Sequence, residues 1–297
     1  MVGEVKVKIM VTGATGQLGS AVIRETERRG HEAVVFPRGL DITDQASVMR
    51  RMEEEKPETL IHCAAWTAVD LAELPENRER VYAVNVEGTR NLAKACKKID
   101  CKMIYISTDY VFDGQGEMPW KPDDELCKPL NVYGKSKLEG ERALREVLTR
   151  YFIVRTSWVF GENGNHFVKA MLKVGKKQAE VTVVDDQIGR PTYTSDLAQL
   201  LLDMAESEVY GCYHASNEGE FISWADFAKE IFAQVGYGVR VIPVSTEEYK
   251  KSQAVRPLNS RLETEKLAKQ GFRLLSPWKD ALRRYLQQTG EASGIEN

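Results

Sequence analysis

The sequence predicts an α/β protein in which a doubly wound parallel sheet is joined to a smaller second α/β lobe. Through the first half of the chain, short β-branched and apolar runs alternate with segments of helical periodicity, as in parallel strands joined by helices. After residue 158 this alternation becomes irregular, and 297 residues are more than one compact α/β layer requires. We therefore expect two lobes.

Parallel strands and crossover helices account for the first half of the chain. The predicted strands cover 6–12, 31–36, 59–63, 102–107 and 152–158, and the predicted helices cover 17–29, 44–55, 77–98 and 131–149. Because crossovers return the chain over a sheet face, the carboxyl ends of these strands share one crevice, where we expect the chemistry. In the second half we predict helices near 166–177, 195–205, 223–235 and 277–288, with short strands near Val181 and Val239.

Composition narrows the class of function. Hydrophobic residues make up 42% of the chain and charged residues 29%, enough apolar side chains for a substantial core. A formal charge of −3 favours neither nucleic acid nor an anionic membrane as partner, which leaves a small molecule. Five scattered cysteines without a C-x-x-C pair indicate reduced thiols and a cytoplasmic location. No apolar run approaches the roughly 20 residues of a membrane span.

A glycine-rich turn follows the first predicted strand and opens the first helix. It places Gly13, Gly16 and Gly19 in a G-x-x-G-x-x-G frame. In this context the glycines permit a tight turn, close approach of a pyrophosphate and close packing of the helix, whose N-terminus favours the negative charge. We therefore predict a Rossmann-like dinucleotide site, the alternative being an ordinary turn with chance glycines.

The next strand ends bear on the identity of the dinucleotide. Arg38 follows the second strand, where an acid would bind a ribose 2′-hydroxyl, so it favours the 2′-phosphate of NADPH, with NADH as the alternative. Asp41 is expected either to approach the adenine or to cap the next helix together with Thr43. After the third strand, the small residues Ala64 and Ala65 suit close passage of a cofactor along the backbone.

A Tyr-x-x-x-Lys pair supplies the candidate catalytic groups. Tyr133 and Lys137 are four residues apart on a predicted helix and share a face, so the lysine is expected to lower the pKa of the phenol. Thr108 lies at the end of the fourth strand, where its hydroxyl can hold a carbonyl oxygen. Tyr133 would then donate a proton while a nicotinamide supplies hydride, and Lys137 would also bind the ribose. The alternative is a surface Tyr and Lys without a catalytic role.

On these motifs the chain resembles the extended short-chain dehydrogenase/reductase superfamily, whose glycine spacing it matches, and within it the dTDP-4-dehydrorhamnose reductase family. The resemblance covers nearly the whole chain and is carried by 63–70 (CAAWTAVD), 107–112 (STDYVF), 129–137 (PLNVYGKSK), 155–160 (RTSWVF), 186–192 (DQIGRPT) and 256–262 (RPLNSRL). It implies reduction of the C4 carbonyl of dTDP-4-dehydro-L-rhamnose to dTDP-L-rhamnose by NADPH.

The resemblance also implies which residues touch each ligand. Those for the cofactor are Gly16, Gln17, Leu18, Asp41, Ile42, Ala64, Ala65, Thr67, Tyr133 and Lys137, and those for the nucleotide sugar are Thr108, Asp109, Tyr110 and Trp158. A diphosphate also needs cations, for which Arg190 and Arg256 are candidates, unless they are ordinary surface arginines. Family members have been described with Mg²⁺, but no carboxylate cluster in the sequence names its ligands.

We accordingly divide the chain into a Rossmann domain over 1–157, to which elements near 193–214 return, a substrate-binding lobe over 158–289, and a disordered tail over 290–297. The size and the amphipathic helices suggest a homodimer. Two other functions stay open. One is another nucleotide-sugar epimerase, dehydratase or reductase of the superfamily, although Asp109 is followed by Tyr110 and not by the acid of dehydratases. The other is a non-catalytic NADP-binding regulatory subunit resembling that of methionine adenosyltransferase.

Overall fold

Six parallel strands form the central sheet of the computed structural model, which describes residues 6–37, 39–124, 127–249 and 252–291. The strands lie in the order β10-β5-β4-β3-β1-β2, and every neighbouring pair is parallel. Their bounds are β1 Lys8–Thr12, β2 Glu32–Val35, β3 Thr59–His62, β4 Lys102–Thr108, β5 Tyr151–Thr156 and β10 Gly211–His214. Thr12 pairs with His62 and Thr108 with Thr156, so neighbouring strands end at one edge.

Helices cover both faces of this sheet. They are α1 Gln17–Arg28, α2 Gln45–Glu55, α3 Val69–Ala72, α4 Pro75–Tyr82, α5 Thr89–Ile99, α6 Val132–Val147 and α8 Thr194–Ala205. On one face α1 and α8 bury Leu18, Val22 and Leu201 against the strands. On the other face α2, α5 and α6 bury a second apolar cluster. The predicted doubly wound α/β sheet is therefore confirmed, and both β10 and α8 come from the second half of the chain.

The second lobe is built from short strand pairs and helices around its own apolar core. Its strands are β6 Val159–Phe160, β7 Glu180–Val184, β8 Ile188–Gly189, β9 Thr192–Tyr193, β11 Asn217–Glu218, β12 Ile222–Ser223, β13 Arg240–Val244 and β14 Leu275–Pro277. Its helices are α7 Phe167–Gly175, α9 Trp224–Val235, α10 Thr246–Tyr249 and α12 Trp278–Gln288, while α11 Glu265–Lys269 packs on β10 of the central sheet. Side chains of α7, α9 and α12 supply most of this core.

Two elements differ from the sequence prediction in ways that affect the site. The long helix predicted over 77–98 begins at Pro75 and contains a π-helical turn, Ala83–Gly88, between α4 and α5. The strand predicted over 152–158 ends at Thr156, and Trp158 follows it with a backbone φ of +50°. The helix at residue 45 is capped by Asp44, which accepts from the Ala46 and Ser47 N–H groups, so Asp41 and Thr43 do not cap it.

Other features bear on the predicted environment. In the described part of the chain, every helix is too short or too polar to span a bilayer. All five cysteines are free thiols. Most of the predicted tail, residues 292–297, lies outside the described residues.

Candidate active site

A cleft of about 900 Å³ opens at the carboxyl ends of the central strands. It is lined by the glycine-rich turn after β1, the turns after β3 and β4, the start of α6 and residues of the second lobe. Among the predicted site residues it brings together Gly13, Gly16, Gln17, Leu18, Asp41, Ile42, Ala64, Ala65, Thr67, Thr108, Asp109, Tyr110, Tyr133, Lys137 and Trp158. Candidate cofactor and substrate residues therefore face one space, as expected for parallel strands.

The glycine-rich turn forms a tight cradle at one end of the cleft. Gly13 has a φ of +65°, which favours glycine, and a Cβ there would lie 2.8 Å from the Ala64 nitrogen. A Cβ on Gly19 would lie only 2.2 Å from the Gly13 carbonyl oxygen. Gly19 thus allows the first turn of α1 to close onto the loop itself. No side chain caps the start of α1 at Gly16, so this helix N-terminus suits a phosphate.

A buried hydrogen-bond chain fixes the turn after β3 beside the glycine-rich turn. The Ala64 N–H donates to Thr12 Oγ1 at 3.1 Å, and that hydroxyl lies 2.7 Å from His62 Nδ1. His62 Nε2 in turn lies 3.2 Å from Thr89 Oγ1, and burial lowers the pKa of His62 to about 3. His62 therefore stays neutral and ties the small-residue turn to the first strand.

Among the cleft-lining residues, Asp41 pairs with a residue that no sequence motif indicated. Asp41 Oδ1 accepts from the Thr43 N–H and hydroxyl at 2.9 Å each, and Arg80 Nη2 donates to Asp41 Oδ2 at 2.8 Å. These bonds hold the pKa of Asp41 below its usual value. Arg38, the predicted partner of a 2′-phosphate, lies outside the described residues. Arg80 is thus the described cation that lines this end of the cleft.

Thr108 and Tyr133 both line the cleft. Burial and the charge of Asp109 raise the pKa of Tyr133 above its usual value, and a hydrogen bond with Thr108 offsets this only in part. The direction of this pKa change is opposite to the one expected from Lys137, which was a lowering of the phenol pKa. The Lys137 Nζ lies 4.0 Å from the centre of the Tyr105 ring. Burial lowers the pKa of Lys137 to about 7, against the charge of Glu141. The two groups share a helix face as predicted, but burial dominates the protonation of both.

The Asp109 carboxyl is buried beside these hydroxyl groups. Its Oδ1 accepts from Thr108 Oγ1 at 3.0 Å. Burial raises its pKa to about 6, although hydrogen bonds from Ser260 and Thr108 act in the opposite direction. A buried carboxyl of this kind is suited to accepting hydrogen bonds from sugar hydroxyls.

On the second-lobe side of the cleft, two stacked indoles form one surface. The ring centroids of Trp158 and Trp224 are 3.8 Å apart and their planes are inclined by 16°, so the rings are stacked. Both residues line the cleft. Trp224 begins α9 in the second lobe, and no local sequence signal predicts its place in the site.

The two arginines predicted for the diphosphate have protein partners. Arg190 is buried and donates to the carbonyl oxygens of Gly219 at 3.4 Å and Leu262 at 2.9 Å, away from the cleft-lining residues. Arg256 donates to Asp70 Oδ2 at 2.7 Å and to the Tyr110 hydroxyl at 3.0 Å. The geometry favours a structural role for Arg190. Arg256 does not line the cleft itself but contacts Tyr110, which does.

Within 6–37, 39–124, 127–249 and 252–291, no three His, Cys, Asp or Glu side chains stand close enough to hold a metal ion. The described residues therefore identify no ligands for the Mg²⁺ that has been described in members of the resembled family.

Comparison with known proteins shows to which family the chain belongs. A family model described as the RmlD substrate binding domain matches residues 7–290. The chain belongs to the RmlD substrate-binding domain family. The sequence resemblance to dTDP-4-dehydrorhamnose reductases is thereby confirmed, and the family is one of NAD(P)-dependent nucleotide-sugar reductases.

Similar proteins cover almost the whole RmlD-family chain. The spore coat polysaccharide biosynthesis protein SpsK of Bacillus subtilis (strain 168) is 38% identical over 286 residues, covering 96% of this chain and 99% of that protein. The dTDP-4-dehydrorhamnose reductase of Streptomyces griseus is 39% identical over 280 residues, covering 92% and 91%. The crystal structure of dTDP-4-dehydrorhamnose reductase from Bacillus anthracis str. Ames in complex with NADP has a TM-score of 0.91 and 41% identity, covering 96% and 100%.

The cleft of this RmlD-family chain fits a dinucleotide on its own geometry. A Cβ on Gly13 would collide with the turn after β3, and a Cβ on Gly19 with the loop itself, so the two glycines allow the uncapped start of α1 to sit in the cleft, where a pyrophosphate is favoured. The turn at Ala64 and Ala65 continues this track toward Tyr133 and the strand ends.

Proposed function

We propose that the protein is a dTDP-4-dehydrorhamnose reductase that uses NADPH to reduce the C4 carbonyl of dTDP-4-dehydro-L-rhamnose. The observation that carries this proposal is that the hydroxyl groups of Thr108 and Tyr133 belong to residues that line the same cleft as the glycine-rich turn and Lys137. A carbonyl oxygen bound between these hydroxyls would lie within reach of both a hydrogen-bond donor and a proton source.

The reaction adds one hydride to the carbonyl carbon and one proton to its oxygen. When bound, the reduced nicotinamide supplies the hydride. The Thr108 hydroxyl orients the carbonyl oxygen, and the Tyr133 phenol donates its proton as negative charge develops there. Because burial keeps the phenol protonated in the free protein, Tyr133 carries its proton before the substrate arrives. Lys137 binds the ribose and, when protonated, stabilises the phenolate left by proton transfer.

Substrate recognition uses groups on the second-lobe side of the cleft. The stacked indoles of Trp158 and Trp224 offer an apolar surface to a deoxysugar, and Asp109 offers a carboxyl oxygen to its hydroxyls. Arg256 acts through Tyr110, to which it donates at 3.0 Å. The preference for NADPH rests on Arg38 and on the NADP held by the similar Bacillus anthracis reductase. The cytoplasmic location, the homodimer and the division of the chain at 157 and 158 remain predictions.

A direct assay tests the reductase proposal. Purified protein is mixed with NADPH and dTDP-4-dehydro-L-rhamnose, and oxidation of the cofactor is followed by absorbance. We expect substrate-dependent oxidation, and a Tyr133→Phe variant should lose about 100-fold or more in kcat, because it lacks the proton donor but keeps the ring. Tyr249→Phe, at a tyrosine outside the cleft lining, serves as a matched control and should retain the wild-type rate.

The same assay separates the alternatives. Folded protein that binds NADPH but never oxidises it with this sugar would favour a regulatory subunit. Oxidation with a different nucleotide sugar and none with this one would favour another enzyme of the superfamily. Full activity of Tyr133→Phe would contradict the assigned proton donor.

A further inference from the structure

Trp158 has a backbone conformation that a bulky residue seldom adopts. Its φ of +50° is in the left-handed region, where the Cβ crowds the backbone. The residue follows β5 of the central sheet, yet its indole packs against the apolar core of the second lobe. Such a conformation persists only where the surroundings hold it in place.

Two neighbours from the second lobe enclose this indole. Trp224 stacks on it at 3.8 Å between centroids. Gly189 approaches so closely that a Cβ there would lie 3.0 Å from Trp158 Cε2. Gly189 pairs with Ile222 in the antiparallel β8–β12 ladder, two residues before Trp224. One short ladder therefore sets the position of both neighbours.

Trp224 is itself firmly anchored. Ser223 caps α9 by accepting from the Asp226 N–H at 3.0 Å, and its hydroxyl donates to Asp185 Oδ1 at 2.5 Å. The Phe167 ring packs against the Trp224 indole with centroids 4.6 Å apart. The Trp224 side chain thus has a fixed base in the second lobe and a stacking partner in the cleft.

We propose that Trp224 is a positioning residue for sugar recognition, holding Trp158 as the apolar wall against which the deoxysugar of the nucleotide sugar packs. This inference rests on the proposed function and deepens it. Indole faces pack well against the C–H groups of a sugar ring, and a wall made of two stacked rings keeps its orientation where one ring on a strained backbone would turn away. Trp224 acts through Trp158 and needs no contact with the reacting atoms.

Substitution of Trp224 by leucine tests the proposal without relying on turnover. Two stacked indoles give a paired positive and negative exciton band in circular dichroism, which Trp224→Leu and Trp158→Leu should both abolish. Calorimetry then compares the affinities for dTDP-L-rhamnose and for dTDP alone. We expect Trp224→Leu to weaken binding of dTDP-L-rhamnose by about fivefold and to leave dTDP binding unchanged, as the loss of one aromatic contact predicts. In the reductase assay KM should rise more than kcat falls.

Two variants keep the test specific. Trp120→Leu also removes a stacked indole, the partner of Phe112, but Trp120 does not line the cleft. Trp120→Leu should keep the exciton band and the wild-type ratio of the affinities for dTDP-L-rhamnose and dTDP. Trp224→Phe retains an aromatic ring, should restore most of the sugar affinity, and serves if Trp224→Leu does not fold.

The proposal is overturned if folded Trp224→Leu binds both ligands in the wild-type ratio while losing the exciton band, or if folded Trp224→Phe, which keeps a ring to pack on Trp158, loses sugar affinity as fully as Trp158→Leu. It is equally overturned if wild-type protein binds dTDP-L-rhamnose no more tightly than dTDP. Absence of NADPH oxidation by wild-type protein bears on the reductase proposal alone, because the binding comparison involves no turnover.

Discussion

The Asp109 carboxyl lowers the stability of the folded protein at neutral pH. Its pKa is raised to about 6 in the folded state by burial, against an ordinary value of 3.8. Between these values the folded state binds more protons than the unfolded state, so stability falls as pH rises through this window. Above pH 6 this loss of stability is fully present. It amounts to about 3 kcal/mol, because each unit of difference between the two pKa values is worth about 1.4 kcal/mol.

We therefore predict that Asp109→Asn is more stable than the wild type at pH 7.5 by up to about 3 kcal/mol, with the difference nearly gone at pH 4. The same variant should lose activity, because Asp109 accepts from the Thr108 hydroxyl and lines the cleft. Urea unfolding at the two pH values measures the stability, and the NADPH assay measures the activity. An equal stability difference at both pH values would show that the carboxyl is not the titrating group.

Single residues differ in how far the sequence could predict their roles. Tyr133 and Lys137 lie four apart on one helix, so their shared face follows from local geometry. Arg80 and Trp224 reach the cleft from segments far from the other site residues, and no spacing rule links them to it. The pKa of Tyr133 was predicted in the wrong direction, because sequence spacing records a nearby cation but not the burial that outweighs it.

The π-helical turn is the element that connects the turn after β3 to α6. Asn85 lies within it and is buried; its Oδ1 accepts from the Trp66 N–H and its Nδ2 donates to Ser136 Oγ, each at 2.8 Å. Ser136 donates in turn to the Tyr133 carbonyl oxygen at 2.8 Å. A chain of hydrogen bonds thus holds the start of α6, and with it the phenol, against the cofactor side of the cleft.

Asn85→Leu should therefore lower both stability and kcat. The variant leaves the Trp66 N–H without a partner in a half-buried site, for which we expect a loss of about 3 kcal/mol in the free energy of unfolding. Ser136→Ala keeps the Trp66 contact and should lose only about 1 kcal/mol. Urea unfolding and steady-state kinetics measure both variants. If Asn85→Leu destabilises the protein no more than Ser136→Ala does, the turn contributes nothing beyond the α6 contact.

Strands and helices were predictable where periodicity is local, and less so at their ends. An α-helix with a π-helical turn keeps nearly the same apolar spacing, so the interruption at Ala83–Gly88 left no trace in the pattern. Trp158 has a left-handed backbone and packs against Trp224 and Gly189, which are distant in sequence, and the predicted strand ran through it. Asp44 caps α2 because it directly precedes Gln45, whereas Asp41 lies four residues before the helix.

At the scale of the whole molecule, the chain passes between its two lobes several times. β10 returns to the central sheet after β9, the second-lobe strands β11 and β14 then pair, and Trp120 forms a parallel bridge with Leu262. Neither lobe is therefore a continuous segment with its own free ends. Trp158 adds a packing contact from the end of β5 to the core of the second lobe. These connections predict that the two lobes unfold together.

Addition of NADP⁺ should consequently stabilise the entire molecule in one transition. A ligand that binds only the folded state at 100 times its Kd adds about 2.7 kcal/mol to the free energy of unfolding. Because the glycine-rich turn and the second-lobe residue Asn165 line the same cleft, and Gln17 Nε2 donates to the Asn165 carbonyl at 3.3 Å, binding at the turn is coupled to the second lobe. Scanning calorimetry should show a single peak that moves to higher temperature as a whole. Two peaks, of which only one moves with NADP⁺, would mean that the lobes are independent folding units.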